Sequence, residues 1–433
     1  MQPSRTELLP GVFLTCLQTD KFKTGVLSIN LLTRLSPETV TMNTLLPSVL
    51  RRGTMYHPDL DSLAAALDNL YGAHIEPVSR KKGEIHSIGF WADFIDDAYL
   101  PEDGVLEKTV DLLGEVLLSP NTRGGLLLPQ YVSIERDKLL EDIAARINNK
   151  ISYSRFRLIE LMCLGEAYAC DLNGTKEAAE AITHVTLTRQ YRKLLAESPI
   201  EIFYCGTASE ERITAALQRA LECLPRGEID YDIGTDIRMN SLDEKPREFV
   251  ETMDVGQSNL AIGFRLGDCM EDPDLPALRV MNTIFGGGVS SKLFMNVREK
   301  LSLCYFASSG LDTTKGIMLV LSGIDAANRE RAQEEIFRQL QDVQEGRITE
   351  DELACARASL ISDLHAAGDS AGALESFWLG QNLLGLDYGP DELAALIEDV
   401  TVQRVVDCAK TVVCDMIYFL TGDEDECEED GDE

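Results

Sequence analysis

The sequence predicts an α+β protein built as two related halves. Three observations predict it. Strand-like runs of β-branched and aromatic residues alternate with amphipathic helical stretches, the order of these elements recurs after the middle of the chain, and a polar aperiodic stretch separates the two series. At 433 residues the chain is also too long for one ordinary core and calls for two to four domain-sized units.

In order, residues 11–18 and 24–32 read as strands, 42–50 and 60–69 as helices, and 85–91 as a further strand. Amphipathic spacing then gives helices at 105–118, 131–147, 155–164 and 188–195. Residues 200–205, β-branched and aromatic and followed by Gly206, close the first half as a strand, and a helix at 210–224 follows. From Pro225 to Pro246 the chain is polar, acidic and without period, which places an interdomain linker at 225–246. The second half, 247–422, repeats the order, with strands at 249–254 and 259–265, a helix at 273–285 and a glycine-rich segment. Strands at 305–311 and 316–323, helices at 328–345, 350–366, 374–384 and 402–411, and a last strand at 416–422 complete it. Met42-Asn43-Thr44 and Met281-Asn282-Thr283, both assigned to helices, are a short internal echo that fits a duplication.

The composition, 44% hydrophobic and 26% charged, is that of a globular protein, and no run of 18 apolar residues offers a membrane span. The net charge of −33 argues against nucleic acid and anionic membranes as partners, because both require a positive face. A basic or unfolded peptide would be attracted. The run at 423–433 holds nine acids in eleven residues and is expected to be a disordered tail. Eleven Cys without framework spacing, and no secretory leader, point to reduced thiols and the cytoplasm.

The densest information lies at 285–305. A helix carrying Leu278, Met281 and Phe285 breaks at Gly286-Gly287-Gly288, and a second helix follows with Leu293, Val297 and Leu301 on one face. A strand then starts at 304–307. On residue types alone this is a helix-to-helix turn with a surface Arg298 and a core Tyr305. The full string is more specific. Gly286-Gly287-Gly288, Ser290-Ser291, Lys292, Leu293-Phe294, Val297-Arg298-Glu299 and Tyr305 together resemble the C-terminal half of the pitrilysin/insulinase family of metallopeptidases, which includes mitochondrial processing peptidase.

That resemblance implies two α+β halves, each an antiparallel-rich sheet covered by helices, in a clam-like pair. It also implies that Arg298 and Tyr305 grip a substrate backbone near the scissile bond, with Gly286, Gly287 and Gly288 admitting that backbone closely. Active members carry His-x-x-Glu-His on a helix of the first half, where two His one turn apart bind zinc and the Glu is general base. Aligned on Arg52-Gly53-Thr54, this chain has Thr44, Leu45, Leu46, Pro47 and Ser48 there, and Pro47 is expected to disturb the helix. The carboxylate expected as a third ligand falls near Glu141 or Asp142, and without the two His it reads as a solvated helix face. None of the five His pairs with another at helical spacing, and there is no C-x-x-C.

The expected function is therefore the non-zinc subunit of a heterodimeric metallopeptidase. It would bind extended peptide and supply Arg298 and Tyr305 to a zinc site on a paralogous partner that carries His-x-x-Glu-His. No cofactor is expected in this chain. The alternative is a catalytically silent scaffold or peptide-binding component of a complex. A phosphate-cradling loop is disfavoured, because the glycines follow a helix and no Gly-Lys-Ser/Thr is present.

Overall fold

Two β-sheets organise the chain, and the strand order of one recurs in the other. The computed structural model describes residues 2–101, 103–267 and 272–422, so the acidic run at 423–433 lies outside the described residues. The strands are β1 (Ser4–Leu9), β2 (Val12–Gln18), β3 (Thr24–Arg34), β4 (His74–Lys82) and β5 (Ile85–Ile95), a minor pair β6 (Thr122–Arg123) and β7 (Leu126–Leu127), and β8 (Ile200–Gly206). The later part adds β9 (Arg247–Thr252), β10 (Ser258–Arg265), β11 (Phe306–Asp312), β12 (Ile317–Ile324) and β13 (Val413–Thr421). Apart from its outer strand β1, the first sheet runs β2-β8-β3-β5-β4, and the second runs β9-β13-β10-β12-β11. In each, the first and last strands pair in parallel and the other pairs are antiparallel. The duplication suggested by a three-residue echo is thus a duplication of topology.

The compact units do not coincide with the sequence halves. One unit comprises residues 1–144, 170–235 and 367–389; the other comprises 145–169, 236–366 and the chain from 390 onward. Each half lends one helix to the sheet of the other, and the chain passes between the units on both sides of the expected 225–246 linker.

In the first unit, alternate residues of each strand face two different covers. Leu14, Leu27, Ile29, Ile202 and Tyr204 pack with helices Val40–Leu50, Val105–Leu118, His184–Glu197 and Glu210–Ala220. Leu17, Val26, Phe203 and Cys205 point the other way, onto Leu374 and Trp378 of the borrowed helix Ala371–Leu384. Strands buried on both faces read as continuous apolar runs rather than alternating ones, which is why residues 24–32 and 200–205 were legible. The edge strands β1 and β4, rich in charged side chains, were not predicted, nor was helix Pro390–Glu398.

In the second unit, Leu158, Ile159 and Met162 of the borrowed helix Lys150–Met162 pack on Ala261, Leu319, Tyr418 and Leu420. Gly263 marks the closest approach, since a Cβ there would lie 2.3 Å from Met162 Sδ. The other face of β10 turns Phe264 edge-on to Phe337 of helix Arg329–Gln344.

Each borrowed segment is held by one buried glutamate. Arg80 of β4 donates to both carboxylate oxygens of Glu375 at 2.8 and 2.7 Å, and Ser28 donates a third bond at 2.9 Å. In the second unit, Glu166 accepts from Arg265 Nη2 at 2.7 Å and pairs with Lys315 Nζ at 2.7 Å, while Arg265 Nε donates to Asp415 at 2.9 Å. Arg265 and Lys315 are wholly buried. Burial pushes the Glu166 carboxyl up, but the hydrogen bonds from Arg265 and Lys315 outweigh it and hold the group below its ordinary range. No described helix is long and apolar enough to cross a membrane.

Removing one partner of such a cluster leaves an uncompensated buried charge, which costs about 3–5 kcal/mol. Glu166→Ala should lose that much in urea unfolding. Glu375→Ala should lose less, about 1–3 kcal/mol, because its cation Arg80 keeps 26% of its side chain exposed and can turn to water. Equal losses in the two variants would contradict this account. The sign with pH follows from the depressed Glu166 pKa: its contribution is complete above roughly pH 4.3, the unfolded value, and is lost as pH falls through the lower folded value.

Candidate functional site

The helix following β3 is Val40–Leu50 and the helix following β10 is Leu275–Phe285, so the echo triplets fall on topologically equivalent helices, one in each unit. Their surroundings are built separately.

In the second unit, helix Leu275–Phe285 ends at Gly286, where two successive amides, of Gly286 and Gly287, bond the Asn282 carbonyl. The Asn282 side chain accepts from Ser309 Oγ at 2.7 Å, and Ser309 N–H bonds the Gly286 carbonyl at 2.9 Å, so the loop is tied to β11. A Cβ on Gly286 would sit 2.6 Å from Ser309 Oγ, 2.7 Å from Leu293 Cδ1 and 2.8 Å from the Ser309 nitrogen. One on Gly287 would lie 2.9 Å from Thr283 Cα, whereas one on Gly288 meets nothing within 4 Å. Packing of the chain against itself therefore accounts for the first two glycines. Gly288 alone of the three meets open space, next to an exposed Val289.

The segment after the glycines is π-helical over Leu293–Lys300, a wider coil than the α-helix expected. Leu293 and Val297 are buried as the sequence implied, but the coil ends before Leu301, which is exposed. Lys292 is buried and donates to Glu352 at 2.8 Å, and Glu352 in turn accepts from the Thr349 amide. The chain then reverses through Ser302, a non-glycine residue in the left-handed region at φ 50°, a conformation that costs roughly 1–2 kcal/mol. Ser302 and Leu303 amides bond back to Arg298 and Val297.

This turn sets Arg298 on the coil and Tyr305 at the start of β11. The Arg298 guanidinium lies over Phe294, 4.7 Å from the ring centroid, with Nε 3.6 Å from Glu299. Its charge reaches the Cys304 thiol beside Tyr305, although burial, the larger effect, leaves that thiol above its ordinary range. Tyr305 is no core residue: it is 61% exposed. Its amide bonds the Gly323 carbonyl at 2.8 Å, and its hydroxyl donates to Asp325 Oδ1 at 3.1 Å. That hydrogen bond, with the Asp325 charge, raises the phenol pKa. Asp325 was not anticipated, because an aspartate between a strand and a helix reads as an N-cap. The same segment holds a half-buried cation, Arg298, an exposed phenol, Tyr305, and exposed Val289 and Met295.

In the first unit, helix Val40–Leu50 runs through Pro47 without interruption, contrary to the disturbance expected. The proline forgoes one backbone bond, but Leu45, Leu46, Val49 and Leu50 bury that stretch in the core. Thr44 Oγ1 donates to the Leu172 carbonyl at 2.6 Å and contacts Ser79 Oγ at 3.1 Å, which in turn contacts His86 Nε2 at 2.9 Å. With Thr44 donating to Leu172, the chain of protons runs one way, from Nε2–H of a neutral His86 through Ser79 to Thr44. Burial, and next the charge of Lys81, pull the His86 pKa down to about 4. These donors do not fit zinc: Thr44 is engaged, Glu141 and Asp142 are exposed, and no three His, Cys, Asp or Glu converge among the described residues.

Comparison with known proteins gives a consistent picture. Residues 181–360 match the family model described as "Peptidase M16 inactive domain". The chain is 34% identical over 417 residues, 96% of each sequence, to the "probable inactive metalloprotease YmfF" of Bacillus subtilis. It is 25% identical to an "uncharacterized zinc protease" of Rickettsia felis over 71% of this chain and 72% of that one. Among solved structures, a conserved protein of Enterococcus faecalis superposes with a TM-score of 0.88 at 31% identity, covering 98% of this chain and 99% of that one. A Helicobacter pylori protease shares the fold at 16% identity, with a TM-score of 0.78 and coverage of 97% and 99%.

Two outcomes test the geometry. Gly286→Ala, pressed against the Ser309 backbone, should lose about 1–3 kcal/mol in thermal or urea unfolding, and Gly288→Ala should stay within about 0.5 kcal/mol of the parent. For His86, the folded pKa lies below the unfolded value of about 6.5, so its contribution is complete above that pH and is lost as pH falls toward 4, by roughly 3 kcal/mol in all. The stability difference between wild type and His86→Gln should shrink accordingly between pH 7 and 4.5. A difference that does not change with pH would refute the neutral buried imidazole.

Proposed function

Because the chain belongs to the M16, or pitrilysin/insulinase, family of metallopeptidases, we propose that it is a non-zinc subunit that binds extended peptide and lends Arg298 and Tyr305 to a zinc site on a paralogous partner. The observation that carries this reading is a contrast between two equivalent helices. The first-unit helix has hydroxyl, aliphatic and proline side chains where family members bind metal, and its Thr44 is committed to an internal chain of hydrogen bonds. The second unit keeps Tyr305 exposed and Arg298 half-buried on either side of a turn that carries a left-handed serine, together with a Lys292–Glu352 pair that anchors its coil. A scaffold needs neither an exposed phenol nor that strained reversal.

In this arrangement the partner's zinc supplies the hydrolytic chemistry. This chain holds the substrate: Arg298 donates to a backbone carbonyl, and Tyr305 lies against the same peptide. A placed donor such as Arg298 is worth about 2.7–4 kcal/mol in a transition state. The strong negative charge of the chain favours basic or unfolded peptides.

The purified chain should hold well under one zinc after mild chelation and should cleave no peptide alone. Mixed with the zinc-bearing paralogue, Arg298→Ala and Tyr305→Phe should each form the complex on size-exclusion chromatography and melt like wild type. Each should lose on the order of 10²-fold in kcat/KM. Because both would touch one substrate, the double variant should lose less than the product of the two. Full activity in both single variants would reject the pair, and failure to assemble would assign them to structure and favour the scaffold.

A further inference from the structure

Asp325 stands where a helix N-cap belongs, and it does not cap. It precedes the short turn Ala326–Asn328 and the helix from Arg329, its main-chain carbonyl accepts from Asn328, and its side chain bonds no amide of the turn. An aspartate at such a position ordinarily stabilises the helix by accepting a first-turn N–H. Here the carboxylate is turned across the β11–β12 hairpin to the Tyr305 hydroxyl. The ladder fixes this meeting: Phe306 pairs with Gly323, and the Tyr305 amide bonds the Gly323 carbonyl, so Tyr305 and Asp325 sit at one end of the hairpin.

A phenol has one proton, and in this geometry it is spent on Asp325. What Tyr305 offers to solvent is its oxygen lone pairs, made more basic by the carboxylate behind them. Arg298, by contrast, can only donate. A peptide unit carries one acceptor and one donor, so a guanidinium and a carboxylate-backed phenol complement its two sides. We propose that Asp325 is a positioning residue that claims the Tyr305 proton, so that Tyr305 accepts a substrate backbone N–H while Arg298 donates to a backbone C=O. The inference rests on reading Arg298 and Tyr305 as peptide-binding.

The test uses a fluorescein-labelled unstructured peptide and a series in which each backbone nitrogen in turn is methylated, with affinity read by fluorescence anisotropy on the chain alone and on its complex with the zinc-bearing paralogue. In wild type, methylation at one position should weaken binding about 10-fold, the scale of one hydrogen bond. In Asp325→Ala and in Tyr305→Phe that position should cost less than about 2-fold, while Arg298→Ala should keep the sensitivity. Asp325 is exposed and caps nothing, so the variant should melt like wild type. As a direct signature, the Tyr305 ring carbon resonance, identified by its loss in Tyr305→Phe, should titrate at lower pH in Asp325→Ala than in wild type. A methylation profile or a Tyr305 titration that Asp325→Ala leaves unchanged overturns the role of Asp325 alone. Binding that is absent in wild type, or indifferent to Arg298→Ala and Tyr305→Phe, overturns the peptide-binding reading beneath it.

Discussion

A carboxylate buried on a borrowed segment is the constraint on which both units turn. Glu375 and Glu166 each arrive on a segment from the other half of the chain, and each is met by cations of the host sheet or its turns. Apolar packing such as Trp378 on Phe203 supplies most of the attraction, at about 25 cal/mol per Å² removed from water, but it tolerates sliding. A charged group with fixed partners does not, because a shift of one helical turn would take Glu166 away from Arg265 and Lys315 and leave Asp415 as the carboxylate on Arg265. Specific seating is thus enforced by the groups that contribute least to net stability.

The two units use one framework for different ends. In both, the helix after the third topological strand reaches the equivalent outer strand through a side-chain bond: Thr44 to Ser79 of β4, and Asn282 to Ser309 of β11. In the first unit that bond leads inward to a buried, neutral imidazole. In the second it fixes a glycine loop whose far end opens to solvent, and the coil and reversal that follow carry Arg298 and Tyr305 outward. Surface chemistry at the second site therefore depends on packing at Gly286, where no side chain fits.

Much of this was readable in the residues, for identifiable reasons. Strands β3, β8 and β10 are buried on both faces, and their continuous apolar runs left little choice. β1 and β4 escaped notice because an outer strand can be mostly polar, as Ser4-Arg-Thr-Glu and Ser79-Arg-Lys-Lys are. Leu293, Val297 and Leu301 have a spacing that an α-helix and a π-helix both accept for the first two members, so the departure at Leu301 was invisible. The glycine run signalled close approach correctly, but sequence cannot say whether the approaching chain is a ligand or the protein's own β11. Nor can an amphipathic helix announce which sheet it will cover. The periodicity of 155–164 and 374–384 was right, while their exchange between units lay in the tertiary structure alone.

That exchange has a consequence for how the protein is made. A ribosome delivers the chain in sequence order, and the sheet of the first unit has all its strands once Gly206 has emerged. One of its faces, with Val26 and Phe203, then stays uncovered until helix Ala371–Leu384, far downstream in the chain, is released. Meanwhile helix Lys150–Met162 waits for β10 and β13. Neither unit can be completed as a free-standing product of translation. The interval exposes apolar strand surface that could pair with the wrong chain, which couples the yield of folded protein to chaperone supply and translation rate rather than to final stability.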